Sequence, residues 1–246
     1  MSGHSKWSTI KRKKGAKDAA RGQLFGKLAR AIEVAAREGG SDPSSNYALA
    51  AAMEKARAAS MPHDNIDRAA KRGSGELEGV SYEEVWYEGY APGGVALFVH
   101  CLTDNRNRVA SDVRSTFTRH SGSLGEPGSV AYLFEQKGYV LADGIEDTVM
   151  EAAIEGGAED VRSSGEQWEI IAAPGDFKGV IEALKAAEIT FDTAEVTQLP
   201  TTTVAVDASK ARSVLRLVDA LEELDDVQAV FGNFDMSDDV LAEVAG

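Results

Sequence analysis

Residues 138–198 read GYVLADGIEDTVMEAAIEGGAEDVRSSGEQWEIIAAPGDFKGVIEALKAAEITFDTAEVTQ, and their pattern predicts a compact α/β unit. Four short segments in it have the composition of strands, at 138–142, 160–163, 167–172 and 191–198. Two segments between them carry apolar side chains at helical spacing, at 146–155 and 176–187. The resulting order is βαββαβ, the split pattern of ferredoxin-like domains. We therefore predict one ferredoxin-like domain over residues 135–200.

The segments on either side have the pattern of a second α/β domain. The preceding segment predicts a strand, a helix and a strand, at 95–99, 106–120 and 129–134. The following segment predicts the same three elements again, at 203–206, 209–223 and 227–234. We predict that residues 79–134 and 201–246 pair into one discontinuous, ferredoxin-like α+β domain, into which residues 135–200 are inserted. Three domains in linear order along the chain are the alternative.

The N-terminal part of the chain predicts a small helical bundle. Apolar side chains at helical spacing continue until a glycine pair, Gly39-Gly40, ends the first helix. A second helix is predicted to begin at Asp42-Pro43, as an N-cap followed by proline in the first helical position. A third is predicted between Pro62 and Gly73. With an extended arm before the first helix, these segments make a basic helical domain of residues 1–78, so we predict an α+β protein of three domains.

Charge is distributed very unevenly along the chain. The net charge is −14, yet residues 1–75 hold 15 Lys and Arg against 7 Asp and Glu, a net of +8. Residues 76–246 hold 11 against 33, a net of −22. Such an asymmetry is typical of an anion-binding end on an acidic body. It favours a nucleic-acid partner, RNA or DNA, for the N-terminal domain.

Other features of the sequence restrict the class of protein. Cys101 is the only cysteine, and no apolar run approaches the roughly 20 residues that cross a bilayer, so we expect a cytoplasmic protein without a membrane partner. The four histidines lack the spacing of zinc ligands, and motifs of hydrolases or nucleotide-binding loops are missing. We therefore expect no enzyme, no cofactor and no metal; an enzyme with an unrecognised site remains a distant alternative.

The arm before the first helix carries the densest group of candidate nucleic-acid ligands. Phosphates attract such cations because each neutralised phosphate releases condensed counterions. The indole of Trp7 could stack on an unpaired base or pack in a core. A solvated tail or an import signal is the alternative reading of the basic side chains, which are Lys6, Lys11, Arg12, Lys13, Lys14, Lys17 and Arg21.

Two further basic groups follow the arm. Lys27 and Arg30 recur on one face of the first helix, where they could line a phosphate track or an ordinary solvent-exposed face. Residues 105–119 hold four arginines and one aspartate, and an N-cap at Asp104 or Asn105 would direct backbone N–H groups at an anion. The candidate phosphate ligands there are Arg106, Arg108 and Arg114. Pairing of these arginines with nearby carboxylates is the alternative.

Four stretches together resemble the YebC family, which includes the mitochondrial translational activator of cytochrome c oxidase. They are Gly3-His-Ser-Lys-Trp7 with Ile10-Lys11 and Lys13-Lys14, Phe25-x-Lys27-Leu28-x-Arg30, Met61-Pro62-x-Asp64-Asn65-Ile66-x-Arg68-Ala69, and the matches from Tyr87 through Pro92-Gly-Gly94 and Leu102-Thr-Asp-Asn-Arg106-Asn107-Arg108 to Gly128-Ser-Val130. The sequence departs from the family pattern at Ala70 and Ala91, and neither departure removes a charge.

The resemblance implies a fold and a function. It implies three domains with a helical N-terminal bundle, and a cytoplasmic regulator of gene expression without enzymatic activity. Members are described as DNA-binding transcriptional regulators or as translation factors that help ribosomes through difficult sequences such as proline runs. By resemblance, the GHSKW arm and the DNRNR segment are the characteristic basic elements. We thus expect a ribosome-associated translation factor, with a DNA-binding transcriptional regulator as the alternative.

Overall fold

The computed structural model describes residues 18–245, without the side chains of residues 18–20, 238 and 245. Its helices are α1 (Asp18–Gly39), α2 (Tyr47–Ala58), α3 (His63–Gly73), α4 (Arg106–Arg119), α5 (Glu146–Glu155), α6 (Phe177–Ala186), α7 (Ala208–Glu222) and α8 (Asp238–Ala245). Its strands are β1 (Glu83–Ala91), β2 (Val95–Thr103), β3 (Ser123–Leu124), β4 (Phe134–Ala142), β5 (Ala158–Ser164), β6 (Gln167–Ala172), β7 (Phe191–Pro200), β8 (Val204–Ala205), β9 (Val227–Gly232) and β10 (Phe234–Asp235).

Helices α1, α2 and α3 form the bundle. Each contributes one apolar face to a common core that includes Leu28, Ile32, Leu49, Met53 and Ile66. Burying these side chains supplies most of the stability of such short helices, because isolated helices of this length are marginal in water. The bundle is therefore a unit with its own hydrophobic core.

Two polar contacts fix the geometry of the bundle. Arg72 Nη1 lies 3.0 Å from Glu33 Oε1, and the Glu33 carboxylate is almost completely buried between α1 and α3. Asn46 caps α2 by accepting from the Leu49 N–H, while its amide donates to the carbonyl of Ala35 on α1. The predicted start of α2 at Asp42-Pro43 is therefore wrong.

A local turn explains that error. The Asp42 carboxylate accepts from the Ser44 N–H at 2.9 Å, which closes an Asx turn instead of capping a helix. Residues 43–45 are turn, and the helix begins only at Tyr47. Asp-Pro is equally suited to opening a turn and to capping a helix, so the dipeptide alone does not distinguish the two.

The second domain is built on an antiparallel sheet in the order β3-β1-β2-β9. Its core contains residues of α4 and α7 together with the sheet, among them Val99, Phe117, Leu217 and Val230. Strand β9 follows the inserted residues in sequence, yet it pairs with β2, which precedes them. This pairing joins the two distant segments in one sheet.

The inserted domain has a sheet in the order β5-β6-β4-β7, with all neighbouring strands antiparallel. That is the ferredoxin-like order, and α5 and α6 pack their buried side chains against the sheet in a common core. The predicted fold class, a helical bundle followed by two α/β domains with one inserted into the other, is confirmed. The domain boundaries drawn from the sequence stay predictions.

Some elements differ from those predicted. The expected strand at 129–134 is a turn and a 3-10 helix (Ala131–Leu133), and β4 begins only at Phe134. The cause is Glu88, whose buried carboxylate accepts from the backbone N–H groups of Gly128, Val130 and Ala131 at 2.6–2.8 Å. These groups are thus satisfied by a side chain rather than by a neighbouring strand. Strand β1 and helix α8 had no counterpart among the expected elements.

Candidate nucleic-acid interface

More than half of the predicted interface residues lie outside the described residues. These positions are the arm residues Lys6, Trp7, Lys11, Arg12, Lys13, Lys14 and Lys17. Six predicted residues are described: Arg21, Lys27 and Arg30 on α1, and Arg106, Arg108 and Arg114 on α4. Their surroundings divide them into two groups. We call a cation held when oxygen atoms of this chain bind it closely, and open when its charged group is largely exposed.

The polar face of α1 is held against the C-terminal end of α7. Lys27 Nζ donates to the carbonyl oxygen of Glu222 at 2.5 Å, and Arg30 Nη1 donates to the carbonyl oxygen of Asp225 at 2.5 Å. Gln23 Nε2 donates to the carbonyl oxygen of Glu223 and to Asp225 Oδ1. This conformation therefore offers no open phosphate track at Lys27 and Arg30, contrary to one of the two sequence-based interpretations.

Asp226 collects several of these contacts on one buried carboxylate. Its Oδ1 lies 2.7 Å from Arg30 Nη1, and its Oδ2 lies 2.7 Å from Arg108 Nη2. Thr103 Oγ1 donates to the same Oδ2 at 3.0 Å. Since Arg30 belongs to the bundle and Arg108 to the second domain, Asp226 joins the two units.

Arg108 is held more firmly than the sequence suggests. The hydrogen bonds that its guanidinium donates to Asp226 and then to Asp104 raise its pKa above the usual range. The same arginine, by its hydrogen bond, lowers the pKa of Asp104. Asn105 caps α4 by accepting from the Arg108 N–H at 3.1 Å. The first turn of α4 is thus stabilised by the chain's own groups, and Arg108 pairs with carboxylates here, as the alternative interpretation had it; its binding to phosphate stays a prediction.

The remaining predicted cations are more open. Arg21 is exposed, with its guanidinium carbon 5.6 Å from the centre of the Phe25 ring. Arg106 Nε lies 3.6 Å from Glu83 Oε2. Both side chains are exposed, so this ion pair contributes little to stability. Arg114 is exposed on α4 and has no carboxylate within ion-pair distance among the described residues.

Arg57, Arg68 and Lys71 are exposed cations of the bundle that were not among the predicted ligands. Arg68 and Lys71 are three residues apart on α3, so they share one face, opposite the buried Ile66 and Ala69. Arg57 lies two residues after Lys55 on α2 and therefore points to the opposite side of that helix. Because Lys55 Nζ reaches Glu195 of the inserted domain, at 3.5 Å, Arg57 points away from that domain. Helical spacing was the signal that could have identified Arg68 and Lys71.

Arg37 shows how the bundle is linked to the second domain. Its guanidinium donates to the carbonyl oxygens of Val80 and Tyr82 and to Ser81 Oγ. These acceptors belong to the segment 74–82 that connects α3 to β1. The last turn of α1 thereby holds the connecting segment against the bundle.

Cys101 and His100, adjacent on β2, do not form a reactive pair. The Cys101 side chain lies in the core under α4 and α7, and burial raises the pKa of its thiol to about 12. The His100 ring stacks on Trp86 with 4.5 Å between ring centres. A protonated, buried thiol is a poor nucleophile.

None of the described helices is long and apolar enough to cross a membrane.

Family models match most of the chain. The model described as TACO1/YebC protein N-terminal domain matches residues 5–76, and the one described as TACO1/YebC second and third domain matches residues 82–234. These two segments correspond to the helical bundle and to the two α/β domains.

Similar proteins and one solved structure agree with this assignment. A probable transcriptional regulatory protein of Rubrobacter xylanophilus is 60% identical over 100% of both chains. One of Geobacter sulfurreducens is 53% identical over 96% of this chain and 97% of its own. The crystal structure of a conserved hypothetical protein from Aquifex aeolicus, 49% identical, covers 90% of this chain and 93% of its own with a TM-score of 0.80. This chain belongs to the TACO1/YebC family.

Proposed function

We propose that this protein is a nucleic-acid-binding regulator of gene expression that acts in translation, on the ribosome. The observation that carries the proposal is the separation of charge: +8 on residues 1–75 and −22 on residues 76–246. A polyanion is attracted to the first segment and repelled by the second. Binding through the N-terminal domain is the arrangement that satisfies both.

The open cations support the same surface. Arg57, Arg68 and Lys71 of the bundle are exposed, and none has a carboxylate within ion-pair distance among the described residues. Arg21 lies at the start of α1, directly after the basic arm. Exposed, unneutralised cations release counterions from a phosphate backbone at little cost to folding. We propose an interface of the arm residues with Arg21, Arg57, Arg68 and Lys71, to which Arg114 adds a separate contact.

The acidic body favours the ribosome over bare duplex DNA. The net charge of −22 on residues 76–246 is repelled by an extended polyanion, so only the N-terminal domain can approach one closely. Ribosomal surfaces combine RNA with basic proteins, so one region could receive the bundle while a neighbouring one faces the acidic domains. Structured RNA is recognised largely by shape and phosphate contacts, for which arginine and lysine side chains are suited.

A DNA-binding transcriptional regulator is the second candidate. One observation favours it: the relatives from Rubrobacter xylanophilus and Geobacter sulfurreducens are named probable transcriptional regulatory proteins. A DNA-binding regulator should protect a preferred DNA site in footprinting, even when competitor DNA is present. If the protein dimerises, two spaced half-sites should be protected.

Co-sedimentation with ribosomes at moderate salt tests the proposal. We expect wild type to pellet with ribosomes, and the pair Arg68→Ala and Lys71→Ala to pellet less, as should the variant with Lys11, Arg12, Lys13 and Lys14 changed to Ala. The pair Lys178→Ala and Lys185→Ala, on α6 of the inserted domain, removes the same charge as the α3 pair and should pellet like wild type. Wild type that stays in the supernatant, with unchanged cell-free synthesis of proline-rich peptides upon its removal, would refute the ribosomal role.

A further inference from the structure

The docked face of α1 is chemically a phosphate-binding surface. Gln23, Lys27 and Arg30 recur at intervals of four and three residues, so they project from one side of the helix. All three bind oxygen atoms of residues 222–226, which we call the acidic segment. Lysine, arginine and amide donors in such a row are the groups that contact phosphate oxygens in nucleic-acid complexes.

The acidic segment has the properties of a phosphate substitute. It contains Glu222, Glu223, Asp225 and Asp226, and three of its main-chain carbonyl oxygens accept from α1. It also follows the C-terminal end of α7, where unpaired carbonyls concentrate partial negative charge. Charge and acceptors thus lie along one track, as they do on a nucleic-acid backbone.

The contact between the bundle and the second domain can open without disrupting either core. The buried apolar side chains of the bundle and of the second domain form two separate clusters, with no described residue in both. The contacts from α1 to the acidic segment include hydrogen bonds from Gln23, Lys27 and Arg30 and the ion pair of Arg30 with Asp226. Polar interfaces of this kind between domains allow relative motion and weaken with salt.

Asp226 does not become an isolated buried charge when Arg30 leaves. Its Oδ2 keeps the hydrogen bonds from Arg108, at 2.7 and 3.2 Å, and from Thr103. A buried carboxylate that lost its only partner would be strongly destabilising. Here the second domain supplies enough donors to retain the charge, so Asp226 stays paired when α1 separates from it.

We propose that the face of α1 bearing Gln23, Lys27 and Arg30 is a latent nucleic-acid site, covered by the acidic segment, which a phosphate backbone must displace to bind there. The inference rests on the proposed function and adds regulation to it. The cations of the arm and the exposed cations of the bundle make the first contact. The bundle then separates from residues 222–226, and Lys27 and Arg30 join the interface.

A covalent lock tests this inference directly. Gln23 Nε2 and Asp225 Oδ1 lie 3.0 Å apart, so cysteines placed there by Gln23→Cys and Asp225→Cys can be joined by a short bis-maleimide. The matched control is the same double variant capped with N-ethylmaleimide, which has the same charges. The native Cys101 is buried and does not compete for the reagent.

The readout is affinity for a fluorescein-labelled RNA hairpin, by fluorescence anisotropy over a series of salt concentrations. We expect the cross-linked protein to bind more weakly than the capped one and with a shallower log-log salt slope. Lys27 and Arg30 each contribute about 0.7 to 0.9 to the slope, so their exclusion lowers it by roughly 1.4 to 1.8. Asp225→Asn should bind more tightly than Glu166→Gln, although both remove one negative charge.

The outcomes separate the inference from the function on which it rests. If wild type binds the hairpin, and the cross-linked and capped proteins bind it equally with the same slope, the latent site is refuted and the proposed function stands. If wild type, the capped protein and Asp225→Asn all fail to bind the hairpin, the latent site and the proposed function are both refuted. Weaker binding and a shallower slope in the cross-linked protein alone support the latent site.

Discussion

Arg30 Nη1 and Asp226 Oδ1 lie 2.7 Å apart, although 196 residues separate them in the sequence. Only 6% of the Asp226 side chain is exposed, so this ion pair is much less screened by solvent than a surface pair. It places the first long helix of the chain against the segment that leads into β9. The position of the bundle therefore depends on a carboxylate near the other end of the chain.

Replacing Asp226 should destabilise the second domain. In Asp226→Ala, Arg108 loses its strongest partner and the buried hydroxyl of Thr103 loses its acceptor, and we expect a loss of about 3 kcal/mol in the free energy of unfolding. Urea denaturation measures this loss. The adjacent Asp225→Ala, at an exposed position, should stay within about 0.5 kcal/mol of wild type. Equal effects of both substitutions would contradict a special role of the buried carboxylate.

Glu88 should make stability depend on pH in the acidic range. Desolvation alone would raise the pKa of this carboxyl, but the N–H groups of Gly128, Val130 and Ala131 outweigh it and lower the pKa. A lowered pKa in the folded state means that the stabilisation is present above the unfolded pKa, about 4.3, and is lost as pH falls through the folded value. Near pH 7, Glu88→Gln should lower the free energy of unfolding by about 2 kcal/mol.

The pH dependence distinguishes this effect from simple loss of packing. The difference between wild type and Glu88→Gln should shrink as pH is lowered below about 4.3, because wild type then becomes protonated as well. Denaturation of both proteins at several pH values measures the difference. Glu166→Gln, at an exposed turn, provides the control. A difference that is constant with pH would show that the charge of Glu88 is not responsible.

The inserted domain shows how much of the fold could be predicted from the sequence. Helix α5 and strand β6 were predicted at their observed bounds, and the other elements of that domain were found with shifts of their ends, because each has its own periodicity. The turn before β4 could not be predicted. It is imposed by Glu88, which lies 40 residues or more from the three N–H groups that it binds.

The candidate interface, too, could be predicted from the sequence only in part. The concentration of positive charge at one end is visible from composition alone. Which of these cations are open cannot be seen from composition, because it depends on partners that only the tertiary structure brings near. Lys27 and Arg68 are both basic residues in predicted helices. Lys27 nevertheless donates to the carbonyl oxygen of a residue 195 positions away, whereas Arg68 stays exposed. Pairing over such distances follows no local pattern.

Two glycines of the bundle should respond to alanine in opposite ways. A Cβ on Gly73 would lie 2.3 Å from the carbonyl oxygen of Glu33 and 2.7 Å from Ala36 Cβ, so Gly73→Ala must push α3 away from α1. Gly26 of α1 has no atom within 4 Å of such a Cβ. We expect Gly26→Ala to stabilise the bundle by about 1 kcal/mol and Gly73→Ala to destabilise it by about 2 kcal/mol. Hydrogen exchange of amides in residues 47–73 reports both effects.

Replacing Asn46 by any other capping residue should lower the stability of the bundle. Its Oδ1 accepts from the Leu49 N–H at 3.0 Å, while its Nδ2 donates to the carbonyl oxygens of Ala35 and Gly40 at 2.7 and 2.8 Å. Asparagine and aspartate are equally good N-caps, so a role limited to capping predicts a mild effect of Asn46→Asp. The two donated bonds predict the opposite, because a carboxylate would face two carbonyl oxygens.

We therefore expect Asn46→Asp to destabilise the bundle at least as much as Asn46→Ala, which loses the cap and both donors at a cost of about 2 to 3 kcal/mol. Asn46→Ser keeps an acceptor for the cap without adding a charge, and should fall between wild type and Asn46→Ala. Hydrogen exchange of the amides in α1 and α2 measures the order of the three variants. An Asn46→Asp protein as stable as wild type would show that the contacts with Ala35 and Gly40 contribute nothing, since only the cap would then matter.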